Sequence, residues 1–100
     1  MIRDEDFVRG SVPMTKEEVR WIALVKAEIG PSSFVLDVGA GTGSISIEAA
    51  KIAAKGKIFA LEKNPEALRL IHTNMEKFAV KKECCSILMQ FRLRGIFTSM

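Results

Sequence analysis

The sequence predicts an α/β fold built on a parallel sheet, and three observations carry that prediction. A short apolar run, Val35 to Val38 with Asp37 inside it, leads into glycines at every second position: Gly39, Gly41 and Gly43. Such a run suits a buried parallel strand, and the glycines suit a tight turn where backbone approaches a ligand closely. A helical pattern follows over 44–54, then a second apolar run that ends at Glu62, then a second helix opened by Asn64 and Pro65. The order β-α-β-α implies parallel strands joined by right-handed crossovers.

Each element has its own signals. Residues 1–14 read as an extended arm. Thr15 is placed to cap a helix, with Glu18 completing a capping box and Met14 and Val19 at the staple positions. Val19, Ile22, Val25 and Ile29 form an apolar stripe at helical spacing, and Gly30–Pro31 stops it. The first strand starts at Ser33 or Phe34 and ends at Val38. The helix after the glycine loop carries Ile45, Ala49, Ile52 and Ala53 on or near its buried side, and Lys55, Gly56 and Lys57 break it. The next strand runs from Lys57 or Ile58 to Leu61. Leu68, Ile71, Met75 and Phe78 mark the inner face of the helix that follows. Beyond Lys81, Cys85, Ile87, Met89, Phe91 and Leu93 alternate with Ser86, Leu88, Gln90, Arg92 and Arg94. A period of two argues for a third or edge strand rather than a central one.

Composition narrows the classes. One hundred residues, 48% of them hydrophobic, fit one small globular domain. The net charge is +3 with no long Lys/Arg block, so no nucleic-acid partner is expected. The N-terminus is charged and has no apolar core, so no signal peptide is expected. No apolar run approaches the roughly 18 residues of a membrane span. Cys84 and Cys85 are adjacent, which does not suit a zinc pair; reduced thiols and a cytoplasmic location are expected. No metal cluster is visible, and the lone His72 reads as structural or exposed.

The glycine loop has a more specific reading. A dinucleotide fingerprint needs its third glycine three positions after the second. Ser44 stands there, and the third glycine is Gly43. An acid, an apolar residue, then Gly-x-Gly-x-Gly resembles the first motif of class I S-adenosylmethionine-dependent methyltransferases. The resemblance implies that Gly39, Ala40, Gly41, Thr42 and Gly43 lie against S-adenosyl-L-methionine and that Glu62 holds the two ribose hydroxyls. A carboxylate offers two acceptor oxygens for that task. Asp37 reads as an organiser of the loop through backbone N–H groups rather than as a ligand.

A second resemblance is narrower. Asp4, Glu5, Asp6, Phe7, Val8 and Arg9, then Val12 to Arg20, resemble the N-terminus of decarboxylating precorrin methyltransferases of cobalamin biosynthesis. The match continues through Gly39–Glu48 and resumes over Ala60–Glu66, covering about residues 2–80. It implies a Rossmann-like sheet, methylation of precorrin-6B or its cobalt form, loss of carbon dioxide from an acetate side chain, and a tetrameric homo-oligomer. It also implies that Thr15 touches the cofactor. A capping threonine contributes about 0.5–2 kcal/mol with no ligand at all, so both roles stay open. Arg9, Lys16 and Arg20 cluster beside Thr15 and are candidates to pair with the carboxylates of a tetrapyrrole substrate, or are simply solvated. No catalytic acid or base is evident.

The sequence also departs from that family. The family's chain is nearly twice as long and carries a further acidic cofactor contact after its third strand. Gln90, Phe91 and Arg92 stand at that place here. The expectation is the N-terminal half of the fold, truncated or frame-shifted: an arm over 1–14, a cofactor-binding half-domain over 15–81, and a divergent tail over 82–100. One edge of the first strand would then lack a neighbour. A methyltransferase for RNA, protein or another small molecule, and an inactive remnant, remain the alternatives.

Overall fold

A computed structural model describes residues 1–89. Three parallel strands, β1 (Phe34–Val38), β2 (Lys57–Glu62) and β3 (Cys85–Met89), lie in the order β1-β2-β3. Helices α1 (Glu17–Lys26), α2 (Ser44–Ile52) and α3 (Pro65–Lys77) complete the fold. The α/β class and the third, edge-lying strand agree with the sequence reading. Phe91 to Arg94 lie outside the described residues.

Both crossovers step in the same direction across the sheet, so right-handed connections put α2 and α3 on the same face. Val35, Ile58, Ala60, Cys85 and Ile87 point to that face. They meet Ile47, Ala49, Ala50 and Ala53 of the α2 segment and Ile71 and Met75 of α3. The opposite face is largely uncovered: Phe34, Leu36, Val38 and Leu88 are 76%, 50%, 51% and 47% exposed, and Leu61, between Val38 and Leu88 in register, is buried. Among the described residues β1 has β2 on one edge and no strand on the other.

The α3 start follows the sequence signals. Asn64 Oδ1 accepts hydrogen bonds from Glu66 N (2.9 Å) and Ala67 N (3.4 Å), and Pro65 occupies the first turn. Its buried residues are Ala67, Leu70, Ile71, Asn74 and Met75, so the face is set about one residue away from Leu68. In the α2 segment Ala49 and Ala53 are buried as expected and Ile45 is partly buried, whereas Ile52 is exposed and Ile47 and Ala50 join the inner face.

Helix α1 corrects three expectations. It begins at Glu17 behind Lys16, with no side-chain cap, so Thr15 does not cap it. The Thr15 carbonyl instead accepts from Arg20 Nη1 at 2.7 Å. The stripe Val19, Ile22 and Val25 faces outward, and α1 buries Arg20 and Leu24. The helix also stops at Lys26, before Gly30, because Glu28 takes a left-handed conformation (φ 53°).

The physical reason for the α1 rotation is Arg20. Its side chain is wholly buried and bonds Asp4 Oδ1 (2.7 Å), the Thr15 carbonyl (2.7 Å) and the Ile2 carbonyl (2.5 Å). Its Nε lies 3.7 Å from Glu48 Oε2, and its guanidinium sits 4.9 Å from the centre of the Phe7 ring. These contacts fasten the N-terminal arm to α1 and α2. The arm is therefore docked rather than free: Phe7 and Val12 are buried, and Phe7 packs on Phe78 with ring centres 5.0 Å apart.

Candidate functional site

The site is built where β1 ends. Gly39 N and Ala40 N both donate to the Leu61 carbonyl (2.8 and 3.0 Å), which draws the loop across the end of β2. Gly41 N then donates to Glu62 Oε1 at 2.8 Å. Gly43 N closes the turn on the Ala40 carbonyl at 2.9 Å, and Gly43 at φ 85° leads into α2. Its left-handed conformation favours glycine, and a Cβ there would lie 3.2 Å from Ile71 Cγ2, so that side chain would have to give by a few tenths of an ångström.

Glu62 is 8% exposed and well occupied. Oε1 accepts from Gly41 N, and Oε2 accepts from Lys63 N (3.1 Å) and Asn64 N (2.9 Å). A carboxylate has about four lone-pair sites, and these three bonds leave about one. One hydroxyl can therefore be accepted at once; a second needs the Gly41 N–H to move. Gly41 lies against the arm, whereas a Cβ built on Gly39 meets nothing within 4 Å, so the open side of the loop is at Gly39. As it stands, the Glu62 carboxylate fits one hydroxyl of a nucleoside.

Asp37 lies behind the loop. Its Oδ2 accepts from Ser46 Oγ at 2.6 Å, so it steadies the first turn of α2 rather than the loop amides. Burial raises its pKa; the Ser46 hydrogen bond opposes that, and the nearby Glu62 charge reinforces it. Burial also pushes the Cys85 thiol up to about 11, with the Asp37 charge adding to the effect.

The arm borders the same site. A Cβ on Gly41 would meet the Pro13 carbonyl at 3.4 Å, so residues 12–13 run along the loop. Thr15 follows, half-buried, with its carbonyl held by Arg20. The structure thus brings Gly39, Ala40, Gly41, Thr42, Gly43 and Glu62 together and places Thr15 on the bordering arm. Arg20 does not belong with Arg9 and Lys16: it is sealed inside the protein, whereas those two are exposed. The place after β3, Gln90 to Arg92, lies outside the described residues.

One residue was missed by sequence reasoning. Asn74 is wholly buried beside the loop and bonds Thr42 and Val8. Its signal was present: a polar amide sits three residues after Ile71 and one before Met75, inside an apolar helical face. The Thr42 hydroxyl, also buried, has no hydrogen-bond partner among the described residues. A cavity of about 400 Å³ lies on the α1–α2 side, lined by Met1, Ile2, Trp21, Glu48, Lys51 and Ile52, with no loop residue in its lining.

Comparison with known proteins agrees with this architecture. The chain resembles the cobalt-precorrin-6B C(15)-methyltransferase (decarboxylating) of Salmonella typhimurium, at 53% identity over 79 residues, 78% of this chain and 41% of that protein. It resembles the probable enzyme of the same name from Sulfolobus acidocaldarius at 49% identity over 82 residues, 80% of this chain and 43% of that one. The chain therefore spans less than half the length of these relatives. The crystal structure of precorrin-6y C5,15-methyltransferase from Geobacter metallireducens superposes with a TM-score of 0.86 at 35% identity, over 96% of this chain and 50% of that one. The family profile described as precorrin methyltransferase domain matches residues 6–90, so it takes in β3 as well as the segment before Lys82. A match of that extent, laid on a parallel sheet whose glycine loop meets the acid of the next strand, makes this chain a member of the precorrin methyltransferase domain family.

Proposed function

We propose that this chain is the cofactor-binding half of a decarboxylating methyltransferase acting on precorrin-6B or cobalt-precorrin-6B, with S-adenosyl-L-methionine as methyl donor. The observation that supports this most is the 2.8 Å bond from Gly41 N to Glu62 Oε1. It sets a carboxylate against a glycine loop at the C-terminal ends of two neighbouring parallel strands, where such sheets take nucleosides. Gly39, Ala40, Gly41, Thr42 and Gly43 are the loop contacts, Glu62 takes the ribose, and Thr15 closes the site from the arm.

The bound cofactor supplies an electrophilic methyl group. The work left to this chain is to hold it, orient it and keep water away. No residue is assigned as a general acid or base. Arg9 and Lys16, both exposed beside the arm, are the cations available for carboxylates of a tetrapyrrole substrate. A homo-oligomer in the cytoplasm completes the reading. The uncovered face of β1 favours a second reading, an inert half-fold, so the isolated chain is expected to bind cofactor without measurable turnover.

Titration calorimetry with S-adenosylhomocysteine tests the proposal. The chain should bind it, and Glu62→Gln should weaken binding about tenfold, since one acceptor oxygen becomes a donor. Absence of binding to the unaltered, folded chain would overturn the cofactor reading.

A further inference from the structure

We propose that Asn74 is a positioning residue for the cofactor loop, tying the N-terminal arm and the loop into one unit. The idea rests on the cofactor reading for its binding consequences, but not for its structural ones. Asn74 is 0% exposed. Its Oδ1 accepts from Val8 N at 2.8 Å, and its Nδ2 donates to the Val8 carbonyl at 2.9 Å and the Thr42 carbonyl at 3.0 Å. Every one of these side-chain bonds leaves its own helix. They reach backbone 66 residues away in the arm and 32 residues away in the loop.

Each bond fixes something that the sequence leaves loose. The amide grips both the N–H and the C=O of Val8, as a neighbouring strand would, and so sets the arm's register. The third bond acts between Gly41 and Gly43. A peptide unit beside a glycine can rotate with little steric penalty. Here the Thr42–Gly43 unit is held at both ends: its carbonyl on Asn74 and its N–H on the Ala40 carbonyl at 2.9 Å. The neighbouring Gly41 N–H is already held by Glu62. Glu62 and Asn74 thus hold alternate peptide units of the loop, Ala40–Gly41 and Thr42–Gly43, with the Gly41–Thr42 unit between them. An apolar side chain at position 74 would fill the helix face equally well but would leave the Thr42 carbonyl without this donor, a burial that carries its own penalty.

Asn74→Asp separates positioning from packing, because it keeps shape and acceptors but loses both donors. Met75→Ala, on the same buried helix face, is the control that lowers stability without touching these bonds. Amide hydrogen exchange of the full chain should quicken in Asn74→Asp at both Val8–Val12 and Gly41–Gly43, while Ile58–Leu61 stays protected. The S-adenosylhomocysteine Kd should rise about tenfold. That loss should shrink at acid pH, where a protonated Asp regains a donor; Met75→Ala should show neither the loop exchange nor the pH-dependent recovery. Unchanged exchange at either segment in a folded Asn74→Asp, or the same pattern in Met75→Ala, would overturn the proposal. If the unaltered chain binds no S-adenosylhomocysteine, the cofactor reading fails alone, and hydrogen exchange still decides the role of Asn74.

Discussion

Replacing Arg20 by Met keeps an aliphatic stem but removes the charge and the guanidinium that lies 4.9 Å from the centre of the Phe7 ring. The Glu48 carboxylate, only 6% exposed, would lose its countercharge and keep the 3.0 Å bond from Ile2 N; Asp4, at 30%, would be partly rescued by water. Removing one partner of a buried pair costs about 3–5 kcal/mol. The arm has an escape, since it can peel away and give the Ile2 and Thr15 carbonyls to water. That route exposes Phe7, worth about 1.5–3 kcal/mol by itself. The smaller loss governs, so about 1.5–3 kcal/mol is expected. At about 4–8 °C per kcal/mol for a domain of this size, the midpoint falls by about 6–24 °C. Urea and thermal melts followed by circular dichroism, with Trp21 fluorescence as a reporter on α1, measure it. Adding Glu48→Gln to Arg20→Met neutralises the stranded charge and should recover more than about 1 kcal/mol, a coupling expected of residues in direct contact. A loss below about 1 kcal/mol for Arg20→Met, or no recovery in the double variant, would refute the account of Arg20 as the anchor of the arm.

Other outcomes follow from single sites. Gly43→Ala should cost about 1–2 kcal/mol in thermal melts through its left-handed φ alone, with the Ile71 contact adding to it; Gly30→Ala, which has neither constraint, is the control. Asp37 has a folded pKa raised above its ordinary 3.8, mainly by burial. The folded chain thus holds that proton more tightly, and stability should fall as pH rises from about 4 toward the folded value. Asp37→Asn should flatten this slope in urea midpoints, and parallel profiles would contradict the assignment. Cys85, with its thiol pushed up to about 11 and its side chain in the core, should resist alkylation at pH near 8, whereas the half-buried Cys84 reacts; mass spectrometry of the labelled peptide distinguishes them.

Local signals proved readable and long-range ones did not. The spacing of Gly39, Gly41 and Gly43, the two short apolar runs and the Asn64–Pro65 opening are all decided within a few residues. The strands and the start of α3 accordingly fall where the sequence puts them. Periodicity in α1 correctly gave a helix, but it could not tell which face turns inward. That choice belongs to Asp4 and Glu48, which hold Arg20 from outside the helix. Thr15 and Glu18 had the right spacing for a cap, yet Lys16 stays extended and the Thr15 carbonyl is drawn to Arg20. At the site, the loop and Glu62 were legible because each sits at the end of its own strand. Asn74 was not, because its partners lie far off in the chain and only the fold brings them near.

The bare side of the sheet has an energetic consequence. Phe34, Leu36, Val38 and Leu88 remain about half or more in water, so each has roughly half of the ~1.5–3 kcal/mol of full burial still to gain. Their sum, about 3–7 kcal/mol, is a large fraction of the whole stability margin of a small domain, about 5–15 kcal/mol. The ribbon is therefore finished in its local geometry and unfinished in its desolvation. Its thermal midpoint becomes a property of its surroundings: any flat, oily layer that settles on that side should raise it, and dilute solution is where it is lowest.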